Sequence, residues 1–156
     1  MDGTSVGQAC AMGIDLGGSR CRFARVRADG KLSHVTERSG TSEWTAEQLL
    51  DTVARTANDL TTGRQEAPDR PVAVGMAMPG FLSDDGQRIA EAVNLPKLVG
   101  SDVPARLRSI FDAPVVIESD CHAAGVAEHR LGAGRGVARL IVARVGTGIG
   151  ASVLID

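Results

Sequence analysis

The chain has 156 residues, 43% of them hydrophobic and 23% charged, with a formal net charge of −2. That length buries a real core, about 70% of the surface an unfolded chain exposes, and the mildly acidic balance, with no segment gathering Lys and Arg, argues against a nucleic-acid partner. No apolar run reaches the ~20 residues that span a bilayer, and residues 1–8 carry no basic stretch ahead of an apolar core, so a cytoplasmic protein without a membrane partner is expected.

Cys10 to Leu16 predicts a buried strand, Gly17-Gly18 a turn, and the alternation from Cys21 to Ala28 an antiparallel partner. Asp29-Gly30 is a two-residue turn signal, which makes Leu32 to Arg38 the third strand of a meander. Thr45-Ala-Glu-Gln48 has capping-box spacing, and Leu49, Leu50, Val53, Ala57 and Leu60 recur at helical intervals. A helix over 46–61 follows, with Gly63 as its stop.

The short apolar run Pro71 to Met78, bounded by Pro-Gly, predicts a strand buried on both faces. Ser101 to Phe111 predicts a helix starting near Pro104 or just before it. Pro114 to Ile117 reads as another buried strand, and after Glu118-Ser119-Asp120 a helix is expected over Cys121 to Leu131. Arg139 to Val145 and Ala151 to Ile155 predict two strands around the turn Gly146-Thr-Gly-Ile-Gly150.

These elements define an α/β domain with a mixed sheet. Strand, glycine turn and strand occur at 10–28 and again at 139–155, the mark of a duplicated fold. Cys10, Cys21 and Cys121 match neither zinc-ligand nor CxxC spacing and are expected as reduced thiols.

Two glycine turns and two carboxylates carry the candidate chemistry. In Gly13-Ile-Asp-Leu-Gly-Gly-Ser-Arg20 a carboxylate leaves a strand end just before two glycines. Backbone amides there can cradle a phosphate and Asp15 can hold Mg²⁺; equally, Gly17-Gly18 can be a plain hairpin turn with Asp15 capping it. Gly146, Thr147 and Gly148 invite the same pair of readings, and two such hairpins together could clamp a polyphosphate. Asp120 stands where a strand meets a helix, the edge at which open α/β sheets place ligands. It can accept a proton from an attacking hydroxyl or merely cap the helix.

Asp-Leu-Gly-Gly-Ser at 15–19, Met-Pro-Gly at 78–80, Asn-Leu-Pro at 94–96, Glu-Ser-Asp at 118–120, Gly132-Ala-Gly134 and Gly-Thr-Gly-Ile-Gly at 146–150 together resemble, in order and spacing, the successive motifs of ROK proteins. The resemblance covers nearly the whole chain. It implies an actin-like ATPase (ribonuclease H-like) fold, with a first lobe over 1–130 and the opening hairpin of a second, nucleotide-binding lobe over 131–156. It implies an ATP-dependent kinase for a hexose or amino sugar, glucokinase-like, acting at the 6-hydroxyl with Asp120 as general base. Asp15 would then organise Mg²⁺, and Gly17, Gly18, Ser19, Gly146, Thr147 and Gly148 would face the phosphates of ATP. Gly80, Asn94, Ser119 and Asp120 would face the sugar. A homo-oligomer is implied for the full-length protein.

Two departures bear on the sugar. Ser119 stands where the family usually has Asn before the catalytic aspartate, and His122, expected as a helix-surface or packing residue and not a catalyst, stands where a second Asn is usual. The family's Glu-x-Gly-His segment and its cysteine-rich zinc loop are absent from the sequence and expected beyond Asp156, so a structural zinc is implied only there. The chain alone is not expected to be a competent kinase. The rival readings are a sugar-responsive transcriptional regulator of the same family and a sugar-binding module without catalysis.

Overall fold

The computed structural model describes residues 9–62, 70–145 and 148–155. In chain order the regular elements are β1 (Cys10–Leu16), β2 (Arg20–Arg27), β3 (Leu32–Ser39), α1 (Ala46–Thr62), β4 (Val74–Met78), β5 (Gly80–Leu82) and β6 (Ile89–Ala92), followed by α2 (Val103–Ile110), β7 (Val115–Ser119), α3 (Asp120–Leu131), β8 (Arg139–Val145) and β9 (Ile149–Ile155). Five strands form a mixed sheet in the order β3-β2-β1-β4-β7. The first three run as the expected antiparallel meander, while β4 and β7 lie parallel to β1.

Periodicity decides which side of this sheet is covered. Alternate residues Met12, Ile14 and Leu16 of β1 and Cys21 and Phe23 of β2 point to one face, where they form one buried cluster with Leu49, Leu50 and Val53 of α1 and Val103 and Leu107 of α2. Phe23 is wholly buried, and removing such a side chain from water stabilises the fold by about 1.5–3 kcal/mol. The capping box forms as its spacing predicts: Thr45 N–H donates to Gln48 Oε1 at 2.9 Å and Gln48 N–H to Thr45 Oγ1 at 3.4 Å. Arg106 of α2 forks onto Glu47 of α1, Nη2 to Oε2 at 2.9 Å, and this hydrogen bond holds the Glu47 carboxyl below its ordinary pKa. The expected stop at Gly63 lies outside the described residues.

Three expectations are corrected. Strands β4 and β7 are covered on one face: Val74, Met76, Met78 and Ile117 are buried, whereas Gly75 is exposed and Val116 is 63% exposed. Their continuous apolar runs suggested two covered faces, but α1 and α2 feed a single core cluster on one side. The Asp29-Gly30 turn is longer than two residues. Arg27 N–H donates to Lys31 O at 3.0 Å and Gly30 N–H to Arg27 O at 2.9 Å, with Gly30 at φ 79°, the geometry of a turn closed by a left-handed glycine. The β5–β6 hairpin was not expected at all. Its strands have 3 and 4 residues, too few to show a period.

The last hairpin, β8–β9, packs one face on α3 through positions where only glycine fits. A Cβ at Gly125 would collide with Ser152 Oγ and lie 2.7 Å from Leu154 Cδ1, and one at Gly150 would collide with Cys121 Sγ. The opposite face of the hairpin stays open, with Ile141 72%, Val145 81% and Ile149 82% exposed.

Candidate active site

Parallel pairing brings the predicted motifs to one edge. Asp15 of β1 is level with Ala77 of β4, and Ala77 with Glu118 of β7. The carboxyl ends of the three strands therefore deliver Asp15-Leu16-Gly17-Gly18, Met78-Pro79-Gly80 and Ser119-Asp120 side by side. At the usual strand spacing, β1 and β7 lie about 10 Å apart across β4.

Asp15 is an exposed carboxylate whose Oδ2 lies 3.4 Å from Arg22 Nη1. Arg22 is shared, because its Nε donates to Glu37 Oε2 at 2.8 Å. Mg²⁺ is commonly held by one or two carboxylates together with substrate phosphates. Asp15 fits that role, and no group of three or more His, Cys, Asp or Glu able to cage a metal occurs among the described residues. The Gly17 N–H is committed to the hairpin, donating to Arg20 O at 2.8 Å. At Gly18 the reason for glycine is a close approach: a Cβ would sit 2.7 Å from Asn94 Cβ.

Asn94 reaches that position through the unexpected hairpin. Val93 N–H donates to Pro79 O at 2.7 Å, and Asn94 adopts φ 64°, a left-handed conformation that Asn tolerates better than most residues. The 15–19, 78–80 and 94–96 motifs thus meet. Gly80 has a structural explanation of its own, since a Cβ there would collide with Glu91 O across β5–β6.

At β7 and α3 the capping question resolves in favour of the neighbour. Ser119 is the N-cap, its Oγ accepting from His122 N–H at 3.2 Å, which leaves Asp120 without a capping role. Its carboxylate, with the side chain 29% exposed, instead accepts from Arg144 Nη1 at 3.0 Å through Oδ2. Arg144 lies on β8 opposite Gly150. The Cys121 thiol beside this pair is pushed above its ordinary pKa, first by burial and then by the Asp120 carboxylate. His122 is exposed, which places it on the helix surface and not in the packing. Gly148 is exposed and a Cβ there would meet nothing within 4 Å, while Gly146 and Thr147 lie outside the described residues.

Sequence reasoning missed Arg22 and Arg144. Arg22 was open to discovery, because the β1–β2 alternation sets it opposite Asp15. The sign of Arg144 was a cation inside the apolar run Leu140 to Val145, but its partner sits on another element.

The arrangement is that of an α/β domain whose candidate motifs gather at the carboxyl edge of a mixed sheet. The chain belongs to the ROK family, whose model matches residues 11–156. It is 29% identical over 143 residues to a glucokinase of Thermotoga maritima, covering 92% of this chain and 44% of that protein. It is 32% identical over 145 residues to the kanosamine kinase of Amycolatopsis mediterranei, covering 92% of this chain and 45% of the relative. A ROK family glucokinase from Streptomyces griseus, solved with glucose and AMPPNP, superposes with a TM-score of 0.78 at 25% identity, covering 94% of this chain and 45% of that one. The chain thus spans about half the length of the relatives it matches. No helix among the described residues is long and apolar enough to cross a membrane.

Proposed function

We propose that this chain provides the sugar-facing lobe, residues 1–130, and the opening hairpin of the nucleotide lobe, 131–156, of an ATP-dependent sugar kinase. The acceptor is a hexose or an amino sugar and the reacting group its 6-hydroxyl. The observation that carries this reading is Asp120: a partly exposed carboxylate at the carboxyl edge of β7, beside the 15–19 and 78–80 motifs, with helix capping assigned to Ser119 instead.

In this mechanism Asp120 accepts the proton of the sugar hydroxyl. Asn94, Ser119 and the backbone at Gly80 orient the sugar. The shorter Ser119 hydroxyl, already accepting from His122 N–H, reaches less far than an amide would and shifts preference among sugars. Asp15 would hold Mg²⁺, and Gly18, Ser19, Gly146, Thr147 and Gly148 would face the phosphates, with Gly17 shaping the turn. When bound, ATP would supply the phosphoryl group and Mg²⁺ would offset its negative charge, so that positioning is most of what the protein contributes.

The test is ATP consumption by the complete gene product with glucose, mannose, N-acetylglucosamine, N-acetylmannosamine and kanosamine. Turnover is expected to need one of these sugars, and 6-deoxyglucose is expected to bind without reacting. Asp120→Asn is expected to lower kcat by at least ~10²-fold while calorimetry still shows sugar binding. Sugar-independent turnover equal to the stimulated rate would end the kinase reading, and an unchanged kcat in Asp120→Asn would remove the base.

A further inference from the structure

We infer that Arg144 is a positioning residue for Asp120, an assignment that rests on the reading of Asp120 as the base. An aspartate side chain at the first position of a helix has several rotamers open to it, and a base serves only when its oxygen is aimed at the hydroxyl it relieves of a proton. Ser119 occupies the cap, so the backbone at the start of α3 does not hold the Asp120 carboxylate. Arg144 does, donating from Nη1 to Oδ2 at 3.0 Å.

The seat of Arg144 is itself closely defined. Arg144 is paired across the hairpin with Gly150, and Gly150 lies so near Cys121, the residue after Asp120, that any larger side chain would strike its sulfur. Gly125, one helical turn further along α3, is pressed against Ser152 and Leu154 of β9 in the same manner. Two glycine contacts therefore set the spacing between α3 and β8–β9, and with it the reach from Arg144 to Asp120. The Arg144 side chain remains 48% exposed, so its engagement belongs to the ligand-facing edge and not to the core. The pair joins the element carrying the base to the strand that leads into the second glycine turn. Any movement between them changes the aim of the carboxylate.

The test uses the complete gene product and the sugar giving the highest rate in the panel above. Arg144→Gln is expected to lower kcat about 10- to 100-fold, the order of loss when a reacting group is misplaced by about an ångström, with KM for sugar and for ATP changed less than about 3-fold. Arg144→Lys, which keeps a cation without the planar fork, is expected to recover part of the rate. In an Asp120→Asn background Arg144→Gln is expected to add no further loss, because the group it aims is gone. Thermal melting of each variant separates misfolding from misplacement, and Arg144→Lys keeps the comparison open if Arg144→Gln melts early. The assignment is overturned if Arg144→Gln slows the Asp120→Asn protein by the same factor, or if it raises KM for ATP at unchanged kcat, which would make Arg144 a phosphate contact. A wild-type kcat in Arg144→Gln beside a disabled Asp120→Asn overturns Arg144 alone. Absence of sugar-stimulated turnover in the wild type overturns both readings together.

Discussion

The five-stranded sheet and the β8–β9 hairpin are built from similar residues and meet opposite fates. In the sheet, Ile14, Phe23 and Met76 are covered by α1 and α2 and are 0 to 3% exposed. In the hairpin, Ile141, Val145, Ile149 and Val153 stand on one face at 59 to 82% exposure, although the other face is fitted to α3 through Gly125 and Gly150. Apolar sequence by itself does not make a core; a second layer does. A two-stranded hairpin gains independent stability only when something packs on it, and here α3 fills that part on one side.

The sharpest way to break the comparison is to cut into the covered side. Phe23→Ala is expected to lose about 3–5 kcal/mol in urea unfolding, the usual cost of emptying an aromatic site. A loss below about 1 kcal/mol would mean that the sheet is no better packed than the hairpin.

A second probe is alkaline stability. Burial, reinforced by the Asp15 carboxylate, pushes the Cys21 thiol up to about 12, whereas in the unfolded chain a thiol titrates near ~8.5. The folded state therefore holds the proton more tightly. Its contribution is complete below pH ~8.5 and declines as pH rises toward about 12, a loss of about 1 kcal/mol by pH ~9.5. Cys21→Ala, although less stable throughout, is expected to lack this decline in urea unfolding followed between pH ~8 and ~10. An identical slope in both proteins would assign the alkaline loss to other groups.

The smallest stability effect is expected on the open side. Ile149→Thr should change unfolding free energy by no more than about 0.5 kcal/mol, yet it should weaken self-association of the 156-residue chain in analytical ultracentrifugation, because an open apolar strand pair invites a partner. A wild-type chain that stays monomeric at all concentrations would show that this face does not drive association.

Much of this structure was legible beforehand where a period repeats. The meander, α1 with its Thr45–Gln48 box, and the β8–β9 pair follow from alternation, helical spacing and a glycine turn. Strand β5 was not legible, because three residues after Pro79 carry no period, and its sign, Gly80, also fits a ligand site. The second face of β4 and β7 was misread for a different reason. A run such as Val-Gly-Met-Ala-Met is equally compatible with two covered faces or with one covered and one lined by small residues. At the site, the residue types of the carboxyl edge were visible and their division of labour was not. That Ser119 rather than Asp120 caps α3, that the Gly17 amide closes its own turn, and that Arg144 reaches Asp120 all depend on directions in space that spacing leaves open.

The contact between Gly18 and Asn94 has a consequence for how these sequences diverge. The two positions are 76 residues apart in the chain (94 − 18) yet share one small volume, since a single added carbon at Gly18 would stand 2.7 Å from Asn94 Cβ. Asn94 has a second constraint, its left-handed backbone at φ 64°, which leaves glycine as the substitution that relaxes both at once. The pair should therefore vary jointly. Lineages with alanine or serine at the position of Gly18 should carry glycine opposite it, and a Gly18→Ala protein that folds poorly should recover when Asn94→Gly is added. An alignment in which side chains at both positions grow together would contradict this coupling.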